Sequence, residues 1–181
     1  MTQVHGAICL DLDAADATPA TVGMAADAAV TSSDAVAVCV QTADCLPVVL
    51  WSDDGLMAAV HVGWRGLEAG VLDAATDVMG RRTRAPIHAF LGPSIGPECY
   101  EFGEVDGRRL VQRFGPSIMG TTAAGAFALD VRSAARSELV GRGVLIEIDD
   151  ARCTACTDDF FSHRARNEDG RQTTVAWIEG P

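Results

Sequence analysis

The chain has 181 residues, with 48% hydrophobic and 22% charged, and its 25 acidic against 14 basic residues leave a formal net charge of −11 at pH 7. That length suits one domain over residues 1–181 with a sizeable core, and the composition is globular rather than disordered. A polyanionic surface repels nucleic acid and anionic lipid at long range, so neither is an expected partner, although a local arginine cluster in a cleft would still admit a small anion.

The N-terminus MTQVHGAICLDLDAAD has no basic region followed by an apolar run. No stretch reaches the roughly 18 apolar residues of a membrane helix. A cytoplasmic protein is therefore expected, in which the six cysteines stay reduced and are read as core fillers, metal ligands or nucleophiles before disulfides. The Ala-rich stretch 14–29 reads as a surface loop or short helix. AVAVCV over 35–40 is apolar and β-branched, the pattern of a strand buried on both faces.

TADCLP then makes a turn. VVLW (48–51), the turn SDDG and LMAAVHV (56–62) read as two strands joined by a short connection. Antiparallel pairing would bring Cys45, at the start of the first, to His61, near the end of the second. Residues 66–80 carry Leu67, Val71, Leu72, Ala75 and Val78 at helical spacing, with Gly80 as a stop. Residues 86–91 form a strand, and GPSIGPECYEF (92–102) a structured loop. Residues 104–114 and 130–139 are helical, and VLIEID (144–149) and TTVAWI (173–178) are strands. Interspersed strands and helices predict an α/β fold of mixed α+β type, a single three-layer domain whose mixed sheet is covered by helices on its faces.

Few residues are equipped for chemistry. His61 ends an apolar strand and precedes Gly-Trp-Arg-Gly, where glycines permit close backbone approach to a ligand. Cys45 follows Asp44 at a turn, where a thiolate can face a cleft; a buried small hydrophobe is the commoner fate of cysteine. With His5 they would make a His-Cys-His set, which suits zinc with an open fourth position. A satisfied core or surface histidine is the competing reading for each imidazole. Cys153 and Cys156 form a CTAC pair without a second C-x-x-C and are read as structural.

The segments QVHG, TADCLPVVLW, AAVHVGWRGLEAGVL, FLGPSIGPECYEF, CTAC and FFSHRARNEDGRQ resemble, in order and spacing, the successive motifs of the YfiH-like family, also labelled multicopper polyphenol oxidoreductase or laccase-domain proteins. The resemblance implies the fold of that family, which is similar to that of a toxin with a cysteine-histidine dyad. It implies a zinc-dependent purine nucleoside phosphorylase that also acts on methylthioadenosine and deaminates adenosine, with purine nucleosides and phosphate as partners. It further implies His5, Cys45 and His61 as zinc ligands and catalytic centre. Arg65, Arg164 and Arg171 fall inside its motifs, and a guanidinium fork suits phosphate; Arg65 is also placed in the catalytic set.

His163 is read either as a purine contact or as a surface residue, Cys99 as packing or as a neighbour of the metal, and Asp44 as the nearest carboxylate for proton transfer. Family members carry a further segment before QVH, with a Thr-Arg-Gly-Gly type motif. The expectation is that this chain either starts downstream of its true beginning or has its site completed by another subunit of a homo-oligomer.

Three rival readings stand beside this one. A His-Cys-His site also binds copper tightly, which keeps a laccase-like polyphenol oxidase in play, although a four-copper oxidase needs more imidazoles than the four histidines present. Cys45 with His61 as base would make a cysteine hydrolase. A member that binds a ligand or partner without turnover is the third.

Overall fold

Strands of alternating small and branched apolar residues build the centre of the molecule, and a computed structural model describes residues 1–13 and 23–180 of it. In chain order the strands are β1 Cys9–Asp11, β2 Ala28–Thr31, β3 Val38–Thr42, β4 Leu46–Ser52, β5 Met57–Val62, β6 Ile87–Leu91, β7 Met119–Thr121, β8 Phe127–Leu129, β9 Leu145–Asp149 and β10 Gln172–Ala176. The helices are α1 Trp64–Ala69, α2 Val71–Arg82, α3 Glu104–Phe114, α4 Val131–Gly141 and the short α5 His163–Arg166.

The main sheet has the order β1-β2-β5-β4-β6-β9. Its outer pairs β1–β2 and β6–β9 are parallel and its inner pairs antiparallel. The sheet is mixed, as the interspersed elements predict. Because successive side chains on a strand point to opposite faces, the sheet sorts its own core. Ala28, Val30, Val48, Leu50 and Val60 pack on one side with Leu72, Ala75 and Met79 of α2 and Leu139 of α4. Ala29, Val49 and Ala59 pack on the other with Val38, Val40 and Ala176. Each fully buried leucine or valine contributes about 1.5–3 kcal/mol of hydrophobic stabilisation.

The three layers are therefore helices, sheet and a ribbon formed by β3 and β10, the ribbon taking the place of helices on the second face. As an outermost layer it touches the sheet through alternate residues only. Val38 and Val40 are buried whereas Cys39 and Gln41 are exposed, so the strand is not buried on both faces.

The predicted helix over 66–80 is two helices. Gly70 adopts φ 90°, its N–H closes α1 on the carbonyls of Gly66 and Leu67, and the chain restarts as α2, running through Gly80 to Arg82. Only glycine enters that conformation without a steric penalty. Helices α3 and α4 match their predicted spans, and Asp130 caps α4 by accepting from the Ser133 N–H at 2.8 Å. Of the Ala-rich stretch, residues 14–22 lie outside the described residues, and Ala28 and Ala29 belong to a strand. Among the described residues no helix is long and apolar enough to cross a membrane.

Candidate functional site

The β4–β5 hairpin builds one wall of the site. Its register sets Pro47 opposite His61 and Leu46 opposite Val62, which brings Cys45, the residue before β4, alongside His61. Asp44 holds the turn in a left-handed conformation, φ 92°, costly for a residue with a Cβ. Hydrogen bonds compensate. Its carboxylate accepts from Thr154 Oγ1 at 2.8 Å, Ser162 Oγ at 2.7 Å and the Arg164 N–H at 2.7 Å, and its carbonyl from the Ile95 N–H at 2.9 Å. This carboxylate is engaged in tying its own turn to the segment between β9 and β10, which leaves little of it for the proton transfer the sequence suggests.

His5 also sits at positive φ, 56°, and is placed by a residue that sequence reasoning missed. Asp27 is fully buried. Its Oδ1 accepts from the His5 N–H at 2.9 Å and its Oδ2 from the Gly6 N–H at 2.7 Å and the Val4 N–H at 3.2 Å, while Oδ1 lies 2.7 Å from His61 Nδ1. Burial opposes ionisation of Asp27, but the hydrogen bonds from His61, Gly6 and Val4 outweigh it and hold the carboxyl below the usual carboxylate range. An ionised Asp27 makes Nδ1 of His61 the proton-bearing nitrogen, so Nε2 keeps its lone pair. Burial also lowers the basicity of His61 below its ordinary value, against the pull of Asp27. One signal could have revealed Asp27: a carboxylate inside the small apolar run AADAAV must be paired if that run is buried.

The ligand atoms of His5, Cys45 and His61 all lie within 4.8 Å of one another, and the two imidazoles meet edge to face with centroids 4.7 Å apart. Gly63 leaves the space for this trio: a Cβ there would stand 2.5 Å from His5 Nδ1 and 3.3 Å from Cys45 Sγ. Two imidazoles and one sulfur at this spacing form a donor set suited to zinc, with Asp27 as the carboxylate that orients one histidine. Without a cation the thiol holds its proton. Burial and the neighbouring Asp44 push Cys45 up to about 12, Arg171 pulling the other way.

The trio opens on a cavity of about 600 Å³, also lined by Tyr100, His163, Arg164 and Arg171. The Arg164 guanidinium lies 4.8 Å from the Tyr100 ring centroid and donates to the Glu101 carbonyl at 3.1 Å; Arg171 donates to the carbonyls of Glu168 and Gly170 at 3.0 and 2.7 Å. Among the described residues these guanidiniums bond backbone carbonyls rather than carboxylates, so both retain charge for an anionic ligand. Arg65 is elsewhere. It is exposed, stacked 4.4 Å over the Trp64 ring, and does not line the cavity.

The model of the family described as multi-copper polyphenol oxidoreductase laccase matches residues 1–179. The chain is 36% identical over 185 residues to a purine nucleoside phosphorylase of Xylella fastidiosa, covering 98% of this chain and 71% of the relative. It is 34% identical over 181 residues to one of Corynebacterium glutamicum, covering 98% and 73%. Among solved structures it is similar to a protein of Neisseria meningitidis, with TM-score 0.84, 31% identity and coverage of 98% and 73%. It is also similar to the hypothetical protein YfiH of Bacillus licheniformis, with TM-score 0.83, 27% identity and coverage of 98% and 72%.

Proposed function

The chain belongs to the multi-copper polyphenol oxidoreductase laccase family, and from that premise we propose that it is a zinc-dependent purine nucleoside phosphorylase of the cytoplasm, acting also on methylthioadenosine and deaminating adenosine. The observation that carries the reading is one cavity that joins the His5, Cys45, His61 donor set to two arginines whose guanidiniums, among the described residues, donate to backbone carbonyls and not to carboxylates. The names of the relatives at 36% and 34% identity support the substrate class.

His5, Cys45 and His61 would hold the zinc, which when bound supplies Lewis acidity toward an oxygen at the open position. Arg164 and Arg171 present forks that grip phosphate and hold an oxygen against the anomeric carbon. In phosphorolysis that oxygen forms the new bond to the sugar while the bond to the purine nitrogen breaks and the base leaves with a proton, through an oxocarbenium-like transition state. Arg65 stands outside the lining, so phosphate binding is assigned to the other two arginines. Asp27 positions His61 and His5.

Two rivals fit less well. A nucleophilic cysteine needs a lowered pKa, whereas Cys45 is pushed up to about 12 and the Nδ1 of its would-be base is engaged by Asp27. Copper would also suit the donor set, but of the four histidines His88 lies apart, 2.8 Å from Glu147 and 3.2 Å from Asp53, which leaves too few imidazoles for a four-copper oxidase.

The deciding assay incubates zinc-loaded protein with inosine, adenosine and methylthioadenosine, with and without phosphate. Free base should appear only with phosphate, and conversion of adenosine to inosine should not require it. No base released from any of the three in protein shown to be folded and zinc-loaded sinks the reading.

A further inference from the structure

A second set of side chains able to ligate a metal lies outside the cavity lining. Glu98 and Cys99, from the loop after β6, meet Cys153 and Cys156, from the loop after β9, with all four ligand atoms within 4.8 Å of one another. Cys99 Sγ is 3.2 Å from Cys156 Sγ, and Cys156 Sγ is 3.6 Å from a Glu98 oxygen. The three cysteines are free thiols.

We propose that Glu98, Cys99, Cys153 and Cys156 form a second zinc site, structural in role, that staples the loop bearing Tyr100 to the segment leading into α5, which bears Arg164. Three sulfurs and one carboxylate are a complete tetrahedral set, and soft thiolates select zinc over magnesium or calcium. The missing half of the CTAC motif is thus supplied by Glu98 and Cys99, 57 residues away.

The surroundings are built for a charged sulfur cluster. The Gly96 N–H donates to Cys153 Sγ at 3.2 Å, a hydrogen bond that favours the thiolate. A Cβ on Gly96 would lie 2.3 Å from the Glu98 carboxylate, so glycine there makes room for the fourth ligand. The Arg166 guanidinium, paired with Glu168 at 3.0 Å, donates to the carbonyls of Ala155 and Thr154 at 3.1 and 3.4 Å, bracing the CTAC turn. Ser94 and Cys153 form a backbone bridge between the same two loops. With no open position, this site would fix geometry, whereas the His5, Cys45, His61 site keeps one. Zinc uptake at neutral pH releases the thiol protons and involves no redox change.

The proposal stands apart from the nucleoside reading, because its test reads metal and not turnover. Full-length protein, purified under reducing conditions without added metal, is analysed for zinc and for free thiols beside C45S, C156S and the double variant. The native chain should hold about two zinc ions, C45S and C156S about one each, and the double variant none. Circular dichroism establishes that each variant is folded. Cobalt uptake by the native protein supplies a second measurement should C156S fail to fold: thiolate-to-cobalt absorption should report about four thiolates, and fall by about a quarter in C45S. Folded C45S that holds no zinc and takes up no cobalt would overturn the proposal, as would a Cys99–Cys156 disulfide found by mass spectrometry in place of the metal.

Discussion

Asp27 shows how much a single side chain can organise. Its two oxygens receive the backbone of Val4, His5 and Gly6 and the ring of His61, so one buried carboxylate sets both the position of the first proposed ligand and the tautomer of another. Asp27→Asn keeps the shape but turns one acceptor into a donor that faces another donor. Losing such a partner typically weakens metal affinity by about 10–100-fold. We expect a loss of that size in zinc affinity, measured by competition with a chelating dye, with nucleoside turnover falling in parallel. An unchanged affinity would remove Asp27 from the site. The run AADAAV says only that a buried carboxylate there needs partners; it does not say which, because they come from the N-terminal segment and from β5.

At the scale of elements, the join of three helices contains a tension. Glu138 of α4 is largely buried, both of its carboxylate oxygens lack a hydrogen-bond partner among the described residues, and the Arg113 guanidinium of α3 stays 3.9 Å away. Burial, reinforced by Asp73 of α2 and opposed by Arg113, pushes its carboxyl up to about 7 from an ordinary 4.5. The native state therefore keeps a proton that the unfolded chain has lost between these values. Stability should fall as pH rises from about 4.5 to about 7, and below that window the two states are protonated alike. Glu138→Gln imitates the protonated side chain. It should be more stable than the native protein by about 3 kcal/mol at pH 8, with the gain vanishing near pH 4, in denaturant titrations at both values. Equal or lower stability of the variant at pH 8 would show that the carboxylate is accommodated. Helix α4 itself was legible from its spacing, but its Asp130 cap and which of its faces met α2 and α3 were not.

For the whole molecule, charge poses the main question, because a chain with net charge −11 would have to attract phosphate. Long-range repulsion is overcome only where guanidiniums face a cleft without competing carboxylates. Arg164 and Arg171 face the cavity, where the Asp44 carboxylate in the lining is already taken up by Thr154, Ser162 and the Arg164 N–H, and Arg65, stacked on Trp64 in solvent, does not face it. Arg171→Gln should raise the KM for phosphate by about 10-fold or more, while Arg65→Gln shifts it by less than about 3-fold, zinc content staying constant in both. The reverse order in steady-state kinetics would return Arg65 to the phosphate site. The same arrangement accounts for the layers: the sheet is apolar on both faces, so it must be covered twice, once by α2 and α4 and once by the β3–β10 ribbon.

Local pattern was enough to determine the strands around His61, the spans of α3 and α4, the mixed sheet and the hairpin that carries Cys45 to His61, because period and turn chemistry act over a few residues. The break at Gly70 needed the backbone angle, since the apolar spacing continues across it and helical period cannot show a left-handed residue. Packing alone decided that Asp27 orients His61, that Arg164 and Arg171 rather than Arg65 share the cavity, and that Glu98 and Cys99 complete the set begun by Cys153 and Cys156. Each of these rests on groups brought together across tens of residues by burial of the sheet faces, a force without direction along the chain, and so without a signature in any short stretch of it.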